Sequence, residues 1–462
     1  MAVPPPHMLI PPHPMELPPG VPEYPSEHSF RQSEWHHARL CEWPELYAED
    51  GLYPITLGTL IKAPSDQRGW YRIIRKLGFG WDWTKWLAQQ EEVQLGQPQY
   101  LTLQIMSMSK SAITNIESLS IALRASHGDL NPMHVNCPRA YALQGPNGIH
   151  ACLAYQPQYI PFRGSLQPLT SYPPPSGGVP RLPIGIIKSI LKQTLLGIES
   201  MHRAGWVHGA IGLHSLEIKT RSYPPDLVQG PEDQVFLEKI RHTSDRVHAP
   251  LHLTKISPIL PTRDDYDENI KIKLGNLGFG KMLDRIAVGD ADLALAAFPV
   301  GESVNRWHSI AGPYQFRAPE MVEPVEEEIS RWPSTGGVDI WAFGCLVYRL
   351  YTGYHLLPEI MVNKEDPEVP ILHYWFGIAL IFGRLPDQFL RRWPHMGIWL
   401  EPPVTRRFPL IGFEHTFRAN APLDLSEEEV GSITDLIRLA MEIPPRPRPT
   451  ASELLQHPFF QG

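Results

Sequence analysis

The chain has 462 residues and a formal net charge of −8, with 42% hydrophobic and 19% charged residues. This composition allows a large core and excludes wholesale disorder, and the acidic balance disfavours a general nucleic-acid binder, which usually has a basic surplus. The four cysteines (Cys41, Cys137, Cys152 and Cys345) form no C-x-x-C pair, so neither a disulfide framework nor a zinc site is indicated. A reducing compartment is favoured, and we expect an intracellular protein of the cytoplasm or nucleus.

The apolar segments predict no membrane span. The most apolar stretch, residues 371–383, contains His373 and is shorter than the roughly 20 residues that a span needs, so it predicts a buried core helix. The N-terminus lacks the basic region and the continuous apolar stretch of a signal peptide. We therefore expect no membrane association.

Proline dominates the start of the chain. The sequence contains 50 prolines, roughly twice ordinary usage, and many of them fall before Tyr24. Such a segment lacks the backbone donors that helices and sheets need, which predicts disorder or polyproline II structure. We expect residues 1–40 to form a disordered tail and residues 41–69 to form a lead-in segment.

Residues 70–160 predict a strand-rich unit with one helix. Alternating or short apolar runs predict strands, and one run with helical spacing predicts a helix. The strands are expected at residues 71–77, 83–88, 101–106 and 151–155, and the helix at residues 113–124. Gly78 and Gly80 mark a turn after the first strand.

Residues 161–460 predict a larger, mainly helical unit. The helices are expected at residues 186–204, 338–351, 371–383, 432–441 and 451–456, with a strand at residues 270–274. Residues 221–268 are polar and weakly patterned, and a loop of this length inside a compact domain is usually functional or disordered. The fold class predicted by these elements is α+β, with a small strand-rich lobe before a large helical lobe.

Several motifs occur in an order that resembles the protein-kinase superfamily. Leu77-Gly78-Phe79-Gly80 is followed by Ala318-Pro319-Glu320, then by Asp339 at the start of a helix, then by Arg448. Further segments are similar to the SR-protein-kinase branch of serine/threonine kinases: Gly51 to Pro54, Trp86-Leu87, Asn276-Leu277-Gly278 and Gln315-Phe316-Arg317. The resemblance implies a two-lobed kinase fold, with an N-lobe at residues 70–160 and a C-lobe at residues 161–460.

The resemblance also implies which positions would carry catalysis. Phosphoryl transfer needs a lysine on the phosphates, metal ligands, and a carboxylate that accepts the proton of the substrate hydroxyl. The matching positions here have residues that lack the required charge. They are Gln104 for the phosphate lysine, Ala210 for the base, Gly212 for the loop lysine, and Ser215 and Asn276 for the metal ligands. We therefore expect no intact catalytic residue and no metal site, and Glu117 in the predicted helix would have no lysine to pair with.

Nucleotide binding remains open at this point. The resemblance implies contacts from the glycine turn (Leu77, Gly78 and Gly80), from Lys85, and from the hinge (Tyr155, Gln156 and Gln158). Lys85 stands where the family has a valine that packs on adenine. It could reach phosphate, block the adenine pocket, or snorkel at the lobe edge. We expect any ATP binding to be weak and independent of magnesium.

The residues that the resemblance implies have a structural role are present in this sequence. The resemblance implies that His208 braces the catalytic loop, although it could instead act as a substitute base. It also implies that Glu320 and Arg448 form a buried ion pair, and that Asp339 caps the backbone of the loop.

Three functional hypotheses follow from these substitutions. The first is a pseudokinase that acts as a binding or scaffolding module. The second is an active serine/threonine kinase with relocated residues such as Lys85, and the third is a nucleotide-binding switch without phosphoryl transfer. The partner is expected to be a basic, Arg/Ser-rich protein, because acidic runs occur at residues 326–328 and 364–368. The oligomeric state is left open.

Overall fold

The structure is a computed structural model. It describes residues 41–42, 44–47, 50–62, 69–80, 83–91, 99–108, 130–162, 182–221, 223, 226–236, 252–275, 281–282, 314–319, 336–357, 368–383, 385, 390, 412–443 and 448–461. The predicted tail, the helix at residues 113–124 with Glu117, Asn276, Glu320, and the acidic runs up to residue 367 lie outside these residues. Within them, no helix is both long and apolar enough to cross a membrane.

The N-lobe is built on one antiparallel sheet of six strands in the order β1-β2-β3-β4-β6-β5. The strands are β1 (Leu60–Lys62), β2 (Trp70–Phe79), β3 (Trp83–Gln90), β4 (Tyr100–Met106), β5 (Arg139–Gly145) and β6 (Gly148–Tyr155). Successive residues alternate between the two faces of a strand. Ile73, Trp86 and Leu103 pack in a cluster of the N-lobe itself, whereas Leu87 and Leu153 join the core shared with the C-lobe. The four predicted strands are confirmed as β2, β3, β4 and β6.

The C-lobe is mainly helical. Its helices are α1 (Ile184–Arg203), α2 (Gly337–Thr352), α3 (Glu368–Phe382), α4 (Phe413–Asn420), α5 (Glu427–Ala440) and α6 (Ala451–Leu455). The helices predicted from periodicity are therefore confirmed, with shifts at their ends. The largest shift is at α5, which begins earlier than predicted because Ser426 and Glu429 form a capping box.

Short strands connect the two lobes. They are β7 (Tyr159–Pro161), β8 (Trp206–Val207), β9 (Leu216–Lys219), β12 (Ile272–Leu274) and β13 (Lys281–Met282). β12, β9 and β7 form a three-stranded sheet in that order, and β13 pairs with β8. The segment between β8 and β9, residues 208–215, is therefore held between two strands that each pair with a neighbour.

The polar insert at residues 221–268 has more structure than its pattern predicts. It contains an antiparallel pair formed by β10 (Gln234–Phe236) and β11 (His252–Thr254). Leu253 packs in a small cluster with Cys41, Tyr47 and Leu52 of the lead-in segment. The weak local pattern did not reveal this, because the contacts that order the insert come from distant segments.

α2 is the central helix of the C-lobe. Nearly all of its side chains are buried, as expected for a helix that is apolar all round. It ends at Gly353, which has φ of +76° and donates its N–H to Arg349 O at 3.0 Å. This left-handed cap favours glycine because other residues are strained at that φ.

Arg448 joins the start of α2 to the end of α5. Its Nε donates to Glu442 O and its Nη1 donates to Gly337 O, each at 2.9 Å. Its guanidinium carbon lies 5.0 Å from the ring centroid of Trp341. The ion pair with Glu320 stays a prediction, because Glu320 is outside the described residues. Arg448 thus stabilises the C-lobe through backbone carbonyls and an aromatic face.

We expect Arg448→Ala to lower the free energy of unfolding by about 2–4 kcal/mol, because it removes two hydrogen bonds to partly buried carbonyls and the packing on Trp341. Arg448→Lys should be intermediate, because it keeps the charge but not the planar fork. Urea unfolding followed by circular dichroism measures both. Arg203→Ala is the control, since the Arg203 side chain is 72% exposed in its pair with Glu199. Equal losses for Arg448→Ala and the control would contradict this role.

Candidate functional site: the interlobe cleft

Asp339 fixes the loop between β8 and β9. Its Oδ2 accepts the N–H of His208 and its Oδ1 accepts the N–H of Gly209, each at 2.8 Å. Oδ2 also lies 3.0 Å from His202 Nε2. Burial by itself would raise the pKa of Asp339, but its interactions with His202 and His208 hold the pKa below its usual range. The carboxylate therefore stays ionised and caps the loop, as the resemblance implied.

His208 is fully engaged by the backbone. Its Nε2 lies 2.9 Å from Gly275 O, and its Nδ1 accepts the N–H of Ala210 at 3.2 Å. These contacts fit a neutral ring with the proton on Nε2, and burial lowers the pKa of His208. Both nitrogens are occupied, so this geometry fits the bracing role and not that of a substitute base.

The three substituted positions of the loop form a self-contained turn. Ala210 is buried and has no side-chain polar group. Ser215 Oγ donates to Gly212 O at 2.8 Å and accepts the N–H of Gly212 at 3.0 Å. The Ser215 hydroxyl is thus used within the loop itself, at the position where the family has a metal-binding amide.

A buried ion pair crosses the cleft between the lobes. Lys85 on β3 and Glu217 on β9 approach to 3.5 Å between Nζ and Oε1, and their side chains are only 13% and 4% exposed. Lys85 Nζ also lies 5.1 Å from the ring centroid of Tyr155 at the end of β6. Asn136 Nδ2 donates to the other carboxylate oxygen of Glu217. Lys85 is therefore held by protein groups where the resemblance placed an adenine-contacting residue.

Gln104 lies beside this pair. It is opposite Lys85 in the β3–β4 register and is 3% exposed. Because side chains directly across an antiparallel pair share one face of the sheet, the position of the phosphate lysine and Lys85 face the same side. The structure thus brings together the two candidate phosphate positions, of which only Lys85 has a charge.

The insert closes the mouth of the cleft. Residues 258–260 of the insert line one small cavity together with Leu77, Lys85 and Thr102 of the N-lobe and Pro157 of the hinge. Its volume is about 40 Å³, whereas ligand pockets usually have about 300–1,000 Å³. The cavity that these described residues enclose is therefore smaller than an ordinary ligand pocket.

The insert is hydrogen-bonded to β2. The N–H of Gln229 donates to Ile74 O at 2.9 Å, and the N–H of Ser257 donates to Lys76 O at 2.8 Å. Arg75 Nε donates to Ser257 O at 2.6 Å. The β2–β3 register is irregular at this part of β2, which leaves backbone groups for the insert. Since the insert begins after β9 and returns to β12, it ties the N-lobe to the C-lobe.

The lead-in segment adds a second contact to β2. Lys76 Nζ forms an ion pair with Glu42, and the Tyr47 hydroxyl donates to the same carboxylate. Lys76 Nζ also lies 5.1 Å from the ring centroid of Trp86, and both charged side chains are almost fully buried. The lead-in segment is therefore part of the N-lobe's packing.

Protein groups also contact the glycine turn and the hinge. A Cβ at Gly80 would lie 2.5 Å from Trp83 Nε1, so the indole packs directly against this turn, which also contains Gly78. In the hinge, Gln156 Oε1 accepts from Lys273 Nζ at 3.3 Å, and Gln158 O accepts the N–H of Thr220 at 2.9 Å. Every predicted nucleotide-binding position is thus described, and each lies at or beside the cleft.

Sequence reasoning missed the groups that fill the cleft. Glu217 lies between apolar Leu216 and Ile218, and a carboxylate in such a strand was the available signal, because unpaired charges are rarely buried. Residues 258–260 gave no signal, because nothing local relates them to β2. Among the described residues no three His, Cys, Asp or Glu side chains form a metal-binding group. The magnesium expectation stays a prediction, because Asn276 is outside the described part.

We expect Asp339→Asn to destabilise the protein, because an amide places N–H donors against the N–H groups of the loop. A loss of about 3 kcal/mol or more is anticipated for a group with this burial. Because the folded pKa is below the unfolded value, the carboxylate's contribution is present above about pH 4 and is lost as pH falls through the folded pKa. Melting temperatures measured against pH should therefore converge for parent and variant in acid. A constant difference would contradict the role of the ionised carboxylate.

Comparison with known proteins agrees with this architecture. Residues 266–460 match the family described as "Protein kinase domain". A "Serine/threonine protein kinase" of Aspergillus fumigatus is 23% identical over 421 residues, covering 88% of this chain and 87% of that protein. The "Serine/threonine-protein kinase SRPK" of Physarum polycephalum is 21% identical over 441 residues, covering 91% of each. A solved kinase domain aligns with a TM-score of 0.49 and 15% identity, over 90% of this chain and 99% of that chain.

The family match falls on the helical lobe, and the two serine/threonine kinases extend the similarity over the strand-rich lobe. The predicted α+β class and two-lobed architecture are confirmed. Residues 266–460 match the protein kinase domain family, and the resemblance of this chain to the protein-kinase superfamily is confirmed.

Proposed function

We propose that this protein is a catalytically impaired member of the kinase fold that acts as a binding or scaffolding module. The observation that supports this proposal most is the Lys85–Glu217 pair across the cleft. The rival hypothesis of an active kinase needs Lys85 Nζ on a phosphate. In the folded chain that nitrogen has a carboxylate and an aromatic ring as its neighbours.

Electrostatics add to this argument. A triphosphate entering beside Glu217 would place like charges together in a site with little water, where their repulsion is strong. Removing Lys85 from Glu217 would also strand a buried carboxylate, which commonly costs about 3–5 kcal/mol. A nucleotide would have to compensate for both effects and displace residues 258–260 of the insert.

The missing chemical groups point the same way. A positioned general base contributes about 10²–10⁴ in rate, and Ala210 supplies none. Gln104 donates hydrogen bonds but adds no positive charge, and Gly212 has no side chain to stabilise transferring charge. We derive no catalytic step from these residues.

The Lys85–Glu217 ion pair leads to a prediction about stability. Lys85→Val and Glu217→Leu should each lower the free energy of unfolding by about 3–5 kcal/mol, because each leaves one buried charge without its partner. The double variant should recover most of that loss, because it replaces the pair by apolar groups. Urea unfolding of the four proteins gives the coupling energy. Additive losses would mean that the two charges do not interact.

The proposal also leads to a prediction about nucleotide binding. We expect ATP, with or without magnesium, to leave the melting temperature of the parent unchanged. Lys85→Val/Glu217→Leu should gain stabilisation by adenosine, because the charges are removed from the adenine position. The matched control is Lys62→Val, an exposed lysine on β1. Stabilisation of the parent by MgATP that EDTA abolishes would contradict the proposal, as would phosphorylation of a basic peptide that Asn276→Ala abolishes.

A further prediction concerns the protein partner, which we propose to be basic and Arg/Ser-rich. It is supported by the charge of −8 and by the acidic run at residues 364–368, just before and at the start of α3. Exchanging Glu365, Asp366 and Glu368 for Lys should weaken binding of an arginine-serine peptide and flatten its salt dependence. Lys at Asp424, Glu427 and Glu428 is the control. Unchanged binding by the first variant would contradict the docking proposal.

A further inference from the structure

A second cavity lies outside the interlobe cleft. Its volume is about 480 Å³, within the range of small-molecule pockets. It is lined by Gln158 of the hinge, by Lys219 to Arg221 and Tyr223 at and after the end of β9, and by residues that precede β12. It shares no lining residue with the cleft cavity. It is therefore a separate cavity, although Gln158 of the hinge is also a candidate nucleotide-binding residue.

Three cationic side chains line this cavity in a chain that is acidic overall. Lys219 and Lys271 lie across from each other at the ends of β9 and β12, where the N–H of Lys219 donates to Lys271 O at 2.9 Å. Like charges directly opposite in a sheet are destabilising. Neither lysine forms an ion pair within the described part of the chain. An anion in the cavity would remove this repulsion.

The acidic groups near the cavity are already engaged. Asp265 also lines the cavity, but it is buried. Its carboxylate accepts the backbone N–H of Arg221 at 2.8 Å and the backbone N–H of Thr262 at 2.7 Å. Asp267 pairs with the guanidinium of Arg221. The Asp267–Arg221 pair cancels in charge, whereas Asp265 keeps its negative charge, so three cations and two carboxylates leave a net charge of +1 at the cavity.

We propose that this cavity binds a small phosphate-bearing anion. The positive charge of the lysines favours a phosphate monoester, which has a charge of about −1.5 to −2 at neutral pH. The side-chain amides of Gln158 and Asn269, which also line the cavity, can donate to phosphate oxygens. The proposal does not depend on whether the interlobe cleft binds nucleotide.

Titration calorimetry of the full chain with inorganic pyrophosphate at low salt tests the proposal. Saturable binding with a dissociation constant of about 1 mM or tighter is expected. Lys219→Gln/Lys271→Gln should weaken the affinity at least about tenfold. The matched control is Lys62→Gln/Lys192→Gln, which removes two exposed lysines from β1 and α1 and should leave binding unchanged.

Stability provides a second measurement. Lys219→Gln/Lys271→Gln should melt at or above the parent temperature without ligand, because it relieves the cross-strand repulsion. Pyrophosphate should raise the melting temperature of the parent but not that of the variant. Lys219→Arg/Lys271→Arg should retain binding, which separates loss of charge from loss of folding.

Four outcomes would overturn the proposal. One is absence of saturable pyrophosphate binding by the parent, and another is an equal loss in the control variant. Abolition of binding by Lys85→Gln would place the anion in the interlobe cleft instead. Binding of a phosphoserine peptide without binding of pyrophosphate would replace the small anion by a protein ligand.

Discussion

The carboxylate of Asp339 is the group on which the centre of this molecule depends. It belongs to the first turn of α2, the most deeply buried helix, and it accepts the two N–H groups that begin the loop after β8. An ionised group in the core is tolerated only when its hydrogen bonds are complete. The loop therefore has to follow the shape that the carboxylate dictates, whether or not its side chains can do chemistry.

This constraint explains how a kinase architecture persists around a substituted catalytic loop. The bracing contacts of His208 and Asp339 use backbone groups, which are present whatever side chains the loop has. The turn therefore forms with Ala210, Gly212 and Ser215 at the positions where the resemblance implies a base, a lysine and a metal-binding amide. Ser215 even stabilises the turn through its own hydroxyl. The parts of the molecule that hold the fold and those that would transfer phosphate are physically separable.

The interlobe cleft is stabilised from three directions. Lys85 on β3 pairs with Glu217 on β9, and the insert hydrogen-bonds to β2. Glu42 of the lead-in segment pairs with Lys76. Each contact uses a group that is buried on folding, so opening the lobes would expose charges or free backbone donors together. Such coupling favours one closed arrangement of the two lobes.

The sequence by itself determined the class and order of the elements. Strands β2, β3, β4 and β6 and the long helices α1 and α2 follow from apolar periodicity, because local burial imposes that period. The substitutions at Gln104 and Ala210 were readable because the kinase motifs fix their positions. Tertiary structure alone revealed the pairing of Lys85 with Glu217, because Glu217 is remote in the chain and lies on the other lobe. It also decided where residues 258–260 pack and that Lys219 faces Lys271. Such pairings depend on three-dimensional proximity, and no local pattern encodes them.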